Sequence, residues 1–180
     1  MRNFRELIEK PDLIFKEKKL SWNNSISCAL LRSHLEKLRD TTKVTKIICF
    51  GLGDMCRKPP DWLRRQNESK EEELNISAVD RSMIQHSIAL TLADAFRNHD
   101  RNEIQLLAQD PDYTVEATEF LKRNGFKIVG QFGAGGFAEI DEESVVFSPF
   151  VSAPVKQIIA DIARPALVIS TGFEVFNDHE

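Results

Sequence analysis

The sequence predicts an α/β protein: a Rossmann-like open parallel sheet of about five strands with helices on both faces. Three observations predict it. The run Val44-Thr45-Lys46-Ile47-Ile48-Cys49-Phe50 is apolar and β-branched, and it stops on Gly51-Leu52-Gly53-Asp54. A buried strand feeds a ligand-binding turn in this way where an open α/β sheet begins its crevice. Beyond it, short apolar runs alternate with segments of helical period, which implies βαβ units with right-handed crossovers. The 180 residues are 42% hydrophobic and 29% charged, enough for one well-buried core and not two. Residues 1–180 are therefore expected to form a single domain with strand order 3-2-1-4-5.

Each element has its own signal. The N-terminal segment 1–42 is charged and helix-like; within it, Ser25–Arg39 sets Ile26, Leu30, Leu31, His34, Leu35 and Leu38 at helical spacing, a face to dock on the core. Val44–Phe50 is the first strand. The insertion 54–76 follows, with Pro59-Pro60 and Glu71-Glu72-Glu73; it can bury little and is expected to be a mobile loop or lid. Ser77 is placed to cap a helix running to about Phe96, with Asp80 in its first turn. Val79, Met83, Ile84, Ile88, Leu92, Ala95 and Phe96 face inward on that helix. Ile104–Ala108 is the second strand, ending at Gln109-Asp110-Pro111. Thr114 caps the helix Val115–Arg123, and Asn124-Gly125 closes it. Phe126–Val129 is a short third strand, followed by a flexible turn at Gly133-Ala134-Gly135-Gly136. Ser144–Ser148 is the fourth strand, stopped by Pro149. Pro154 opens the helix Val155–Ala163, since Pro suits a first helical position. Arg164-Pro165 breaks it, Ala166–Thr171 is the fifth strand, and Gly172 turns the chain out.

Composition narrows the function classes. A net charge of -4 argues against a nucleic-acid groove as the main surface, which needs a concentrated Lys/Arg excess. No stretch approaches the apolar length of a membrane span, and the N-terminus has no signal-peptide core. Cys28, Cys49 and Cys56 lack Cys-x-x-Cys spacing, so neither a zinc ribbon nor a disulfide scaffold is expected, and no metal site. A reducing cytoplasmic or nuclear compartment fits.

The candidate site gathers at strand ends. Gly51 and Gly53 allow positive φ and close approach of a ligand to backbone N–H groups. A dinucleotide fingerprint would continue to a third Gly, but here Asp54-Met55-Cys56 follows and the next helix is delayed. That pattern is closer to the fold of S-adenosylmethionine-dependent methyltransferases than to that of NAD enzymes; a tight turn with no ligand is the plainer reading. Asp110 stands where a carboxylate accepts the two hydroxyls of a ribose diol. It follows Gly53 by 57 residues against the usual roughly 20, the insertion accounting for the gap; an Asx-type turn is its structural alternative. Ser148-Pro149-Phe150 loosely matches the Asp/Asn-Pro-Pro-aromatic motif of some amino-methyltransferases, but Ser148 is a poor substitute and the second Pro is missing, so an ordinary strand terminator explains it better. His86 falls in the row of Val79, Met83 and Leu90, at the edge of the apolar face, where a packed histidine is commoner than a catalyst. Cys49 is expected to be inert, and Cys56 to react only beside positive charge. Catalytic residues are not assignable.

Several segments together resemble the Sensitivity to Red Light Reduced family, the SRR-like domain. They are Ile47-Ile48-Cys49-Phe50-Gly51-Leu52-Gly53, Gln85-His86-Ser87-Ile88-Ala89-Leu90, Gln109-Asp110-Pro111, Glu119-Phe120-Leu121, Asn124-Gly125-Phe126, Val145-Val146-Phe147-Ser148-Pro149 and Ala166-Leu167-Val168-Ile169-Ser170. The resemblance spans about Val44 to Phe173, and Ser148–Gln157 looks most like fungal members. It implies a Rossmann-like cytosolic or nuclear protein tied to light signalling and circadian control in plants, and to microtubule stability and haem-synthesis regulation in yeast. It brings no established reaction. Two departures stand out: Asp54 replaces a frequent Ser after Gly-Leu-Gly, and Pro149-Phe150-Val151 stands where plant and animal members tend to carry Pro-His-Cys.

The resulting expectation is a regulatory domain with a nucleotide-type crevice lined by Gly51, Gly53, Asp54, Asp110 and Ser148. Its enzymatic alternative is an S-adenosylmethionine-dependent methyltransferase. A third alternative is a scaffold that recruits a protein partner through the acidic insertion or the N-terminal helix.

Overall fold

A computed structural model describes residues 6–58, 78–97, 103–149 and 155–171. Five strands, β1 (Lys46–Phe50), β2 (Gln105–Gln109), β3 (Phe126–Ile128), β4 (Ser144–Ser148) and β5 (Leu167–Ser170), form one sheet in the order β3-β2-β1-β4-β5. Every pairing is parallel, and the order is the expected 3-2-1-4-5. β1 takes the centre because it is apolar on both faces: Ile47, Ile48 and Cys49 are fully buried. The helices are α1 (Pro11–Asn23), α2 (Ile26–Arg39), α3 (Ala78–Phe96), α4 (Val115–Arg123) and α5 (Val155–Ile162).

Alternation along the strands divides the core. Ile47, Cys49, Ala108, Val145 and Phe147 face α1–α4, packing with Phe15, Leu35, Met83, Leu92 and Phe120. Ile48, Phe50, Leu107 and Val146 face the other way, against Val155 and Ile159 of α5 and Val129 and Ile140 of the β3–β4 connection. Helices thus cover both faces, as the alternating pattern implied.

Caps fix the helix starts. Ser25 accepts a hydrogen bond from the Cys28 N–H at 3.1 Å, and Thr114 accepts from the Ala117 N–H at 3.3 Å. The charged N-terminal segment resolves into two helices. Pro11 sits in the first turn of α1, and Asn24 separates α1 from the Ser25 cap of α2. Phe15 of α1 meets Phe120 of α4 edge-on at 5.2 Å, and Trp22 donates its indole N–H to Thr91 of α3 at 2.9 Å.

Two expectations change. The Gly133–Gly136 turn is pinned rather than flexible. Gln109 donates Nε2–H to the Gly133 carbonyl at 3.0 Å and accepts the Gly136 N–H at 2.7 Å. A Cβ on Gly136 would sit 2.6 Å from the Phe50 ring, so only glycine lets the chain lie this close to the sheet. A 3-10 turn, Phe137–Glu139, follows and stacks Phe137 on Phe50 with centroids 4.5 Å apart. The insertion also begins fixed rather than loose. Asp54, Met55 and Cys56 are buried, and residues 56–58 run beside residues 6–8 through Ile8 N–H to Cys56 O and Lys58 N–H to Glu6 O, both 2.8 Å. The remainder of the insertion, with the Glu71–Glu73 run, lies outside the described residues, as do Ser77, Phe150, Pro154 and Gly172.

Candidate functional site

Gly51, Gly53 and Asp54 follow β1, Asp110 follows β2, and Ser148 ends β4. All five lie at the C-terminal edge of the sheet. The chain leaves β1 toward β2 on one side and returns to β4 on the other, which makes β1/β4 the topological switch point where open α/β sheets hold ligands.

The Gly53 peptide is held from both ends. Its N–H donates to Asp110 Oδ2 at 2.7 Å, and its carbonyl accepts from Ser82 Oγ of α3 at 2.6 Å. The residue has φ +80°, a left-handed conformation that glycine adopts without strain. Asp110 also accepts the Asp112 N–H on Oδ1 at 2.8 Å. The Asx-turn geometry and the contact to the glycine turn therefore coexist in one carboxylate, which still has lone pairs to offer. Burial pushes the Asp110 carboxyl above its ordinary pKa, against the lowering effect of the two N–H donors.

Asp54 serves a different joint. Its Oδ1 accepts from the N–H groups of Cys56 at 2.7 Å and Arg57 at 3.0 Å. Its Oδ2 accepts from the Thr114 N–H at 2.8 Å and the Thr114 hydroxyl at 2.6 Å. One side chain thereby locks the loop after β1 to the cap of α4. Arg57 adds a forked pair to Glu116, at 2.7 and 3.3 Å; this guanidinium lowers the Glu116 carboxyl pKa.

His86 is fully buried, deeper than the edge its helical row suggested. Its Nδ1 lies 2.7 Å from the Ser82 carbonyl and its Nε2 2.9 Å from the Tyr113 hydroxyl. A carbonyl can only accept, so Nδ1 carries the proton and Nε2 accepts from Tyr113. Burial drives the His86 pKa down to about 4 and the Tyr113 pKa well up. Tyr113 N–H returns to the Asp110 carbonyl at 3.3 Å, closing a circuit Gly53–Ser82–His86–Tyr113–Asp110 behind the turn. The Cys56 thiol is raised to about 12, first by burial and then by Asp54, which removes it as a nucleophile at neutral pH.

Gly53 and Asp110 are thus brought into direct contact, and Asp54 is tied to Thr114. Ser148 stands apart, in register with Ser170 of β5, and its Oγ is buried with no hydrogen-bond partner among the described residues; the same holds for Thr171 Oγ1. Ser82, Tyr113 and Gln109 carry weight that the sequence reading missed. Ser82 lies four residues before His86 on one helix face, a spacing compatible with a shared role, but no sequence pattern ties either to the glycine turn. Among the described residues no group of three or more His, Cys, Asp or Glu is placed to hold a metal.

A family model for the SRR1 domain matches residues 31–180. The chain belongs to the SRR1 domain family. The match begins within α2 and takes in all five strands together with Gly51, Gly53, Asp54, Asp110 and Ser148; α1 precedes it. No curated protein and no solved structure matches the chain. In this SRR1 domain the switch point, the doubly held Gly53 peptide and the Asp110 carboxylate form one connected feature.

Proposed function

We propose that this SRR1-domain protein is a regulatory ligand-binding module whose switch-point crevice takes a nucleotide-type molecule, with Gly51, Gly53, Asp54, Asp110 and Ser148 around it. The observation that carries the reading is the Gly53 peptide, fixed at both ends beside a buried carboxylate at the end of β1. Such a turn is organised before a ligand arrives, so binding costs little ordering entropy. Asp110 supplies the acceptor that a ribose diol needs. The described His and Cys side chains nearest the turn favour binding over proton transfer, because His86 is neutral and enclosed by its partners and Cys56 stays protonated. Methyl transfer from S-adenosylmethionine is the enzymatic alternative, since that donor fits the same crevice.

In this reading a bound ligand tunes recruitment of a protein partner, in light, circadian or stress signalling or in haem-synthesis regulation, in the cytoplasm or nucleus. By its resemblance at Ser148–Gln157 it is a fungal-type member. Among the described residues no helix is long and apolar enough to cross a membrane.

Thermal unfolding with S-adenosylmethionine, S-adenosylhomocysteine, NAD(H), NADP(H), FAD, ATP and haem tests this. A ligand at 100 times its dissociation constant adds about 2.7 kcal/mol, which raises the midpoint by roughly 5–10 °C for a chain of this size. An upward shift with one adenine-bearing member is the expected result. A flat panel refutes the crevice and leaves the scaffold reading.

A further inference from the structure

We propose that the C-terminal ends of β4 and β5, beneath the first turn of α5, form an oxyanion subsite for the phosphate or carboxylate of a nucleoside ligand. The proposal rests on the crevice reading above and specifies its charged end. Ser148 is 4% exposed, and its Oγ has no hydrogen-bond partner. Thr171 Oγ1, one residue beyond the Ser148–Ser170 register pair, is buried and has no partner among the described residues either, but alternation turns it to the opposite face of the sheet, with Leu167 and Ile169. A buried hydroxyl is costly when unpaired, so Ser148 Oγ at the edge of the sheet points to a group that completes it.

Strand alternation gives the direction of Ser148. Val146, two residues earlier, packs with Val155 and Ile159 of α5, so Ser148 lies on that same face, nearer the C-terminal end of the strand. Between parallel strands β4 and β5, α5 must run back across the sheet, which sets its first turn over the end holding Ser148. First-turn N–H groups lack intrahelical acceptors, and the helix N-terminus favours negative charge. Lys156, in that turn, donates Nζ–H to the Thr171 carbonyl at 2.7 Å, so a cation stands at the C-terminal end of β5. The Ser148 hydroxyl, backbone N–H groups and an ammonium can all donate, and their common complement is an acceptor-only oxyanion.

Spacing connects this subsite to the crevice. β2 and β4 flank β1, so their ends are about 10 Å apart at ordinary strand separation. That span suits a ribose diol at Asp110 and an anionic group carried beyond the 5′ carbon at Ser148. A nucleoside diphosphate offers phosphate there, and S-adenosylhomocysteine offers a carboxylate.

Calorimetric titration of wild type and Ser148→Ala with adenosine, adenosine 5′-diphosphate and S-adenosylhomocysteine tests the subsite. The expected result is that one anionic ligand binds wild type about tenfold more tightly than adenosine, a gain of charge-assisted size. Whichever ligand gains identifies phosphate or carboxylate. Ser148→Ala should lose most of that gain, the anionic ligand weakening far more than adenosine, and Lys156→Gln should weaken the anionic ligand alone. Without ligand, Ser148→Ala should melt at the wild-type temperature or higher, because it deletes an unpaired hydroxyl. A lower melting temperature would mark a structural bond and overturn the subsite. Adenosine binding with no anionic gain, or a gain that survives Ser148→Ala, overturns the subsite and leaves the crevice standing. Binding by none of the three removes the crevice and the subsite together.

Discussion

At the scale of the residue, the polar groups behind the glycine turn are satisfied by one another, and His86 shows what that does to protonation. Its two ring nitrogens are occupied by Ser82 and Tyr113, and its pKa falls from 6.5 to about 4 through burial. The folded pKa lies below the unfolded one, so the unfolded chain binds the extra proton between these values and stability drops as pH falls. The whole effect is worth about 3 kcal/mol at one pKa unit per 1.36 kcal/mol, fully present above pH 6.5 and lost toward pH 4. Asp110 acts in the opposite sense, since its raised pKa makes acid relieve a buried charge. Glu116 and Asp141, held low by Arg57 and Lys46, add to the loss only in the carboxylate range. Melting temperatures at pH 7, 6 and 5 should therefore fall for wild type and fall less for His86→Gln; parallel lines would contradict the assignment. The sequence placed His86 on an apolar row and favoured a packed role, which the geometry bears out. It could not supply Tyr113 as partner, because that contact depends on how α3 meets the loop after β2.

At the scale of the element, the joint between the β1 loop and α4 concentrates several bonds in two side chains. Asp54 accepts from Cys56, Arg57 and twice from Thr114, while Thr114 also caps α4. Asp54→Ala leaves buried N–H groups unpaired and should cost about 3 kcal/mol. Thr114→Ala removes a cap and should cost about 1–2 kcal/mol. In a double-mutant cycle by denaturant unfolding, the two should couple by about 1 kcal/mol or more; additive losses would mean that the joint is not one unit. The Thr114 cap and the Val115–Arg123 helix were legible because Thr, the acidic first turn and the closing Asn124-Gly125 are local signals. The pinned Gly133–Gly136 turn was not: glycine there reads as freedom until Gln109 and Phe50 arrive from strands distant in sequence. The same limit left the helix-like N-terminal segment undivided, because Phe15 of α1 finds its partner on the distant α4.

At the scale of the whole molecule, the order β3-β2-β1-β4-β5 follows from a doubly apolar first strand and the crossovers that parallel neighbours require, so the topology was readable before any contact was known. The site was only half readable. Glycines at a strand end announce a turn, and the distance from Gly53 to Asp110 closes in space through one hydrogen bond of 2.7 Å. What the turn receives depends on donors and acceptors left over after the protein has satisfied its own, and the sequence does not reveal that remainder. The central claim is that a nucleoside ligand enters at the switch point. Amide hydrogen exchange, measured with and without adenosine 5′-diphosphate and S-adenosylhomocysteine at millimolar concentration, tests it most directly. One of them should slow exchange at residues 51–57, 109–114 and the first turn of α5, and leave α1 and α2 unchanged. Exchange unaltered by both, or slowed only on α1 and α2, would contradict it.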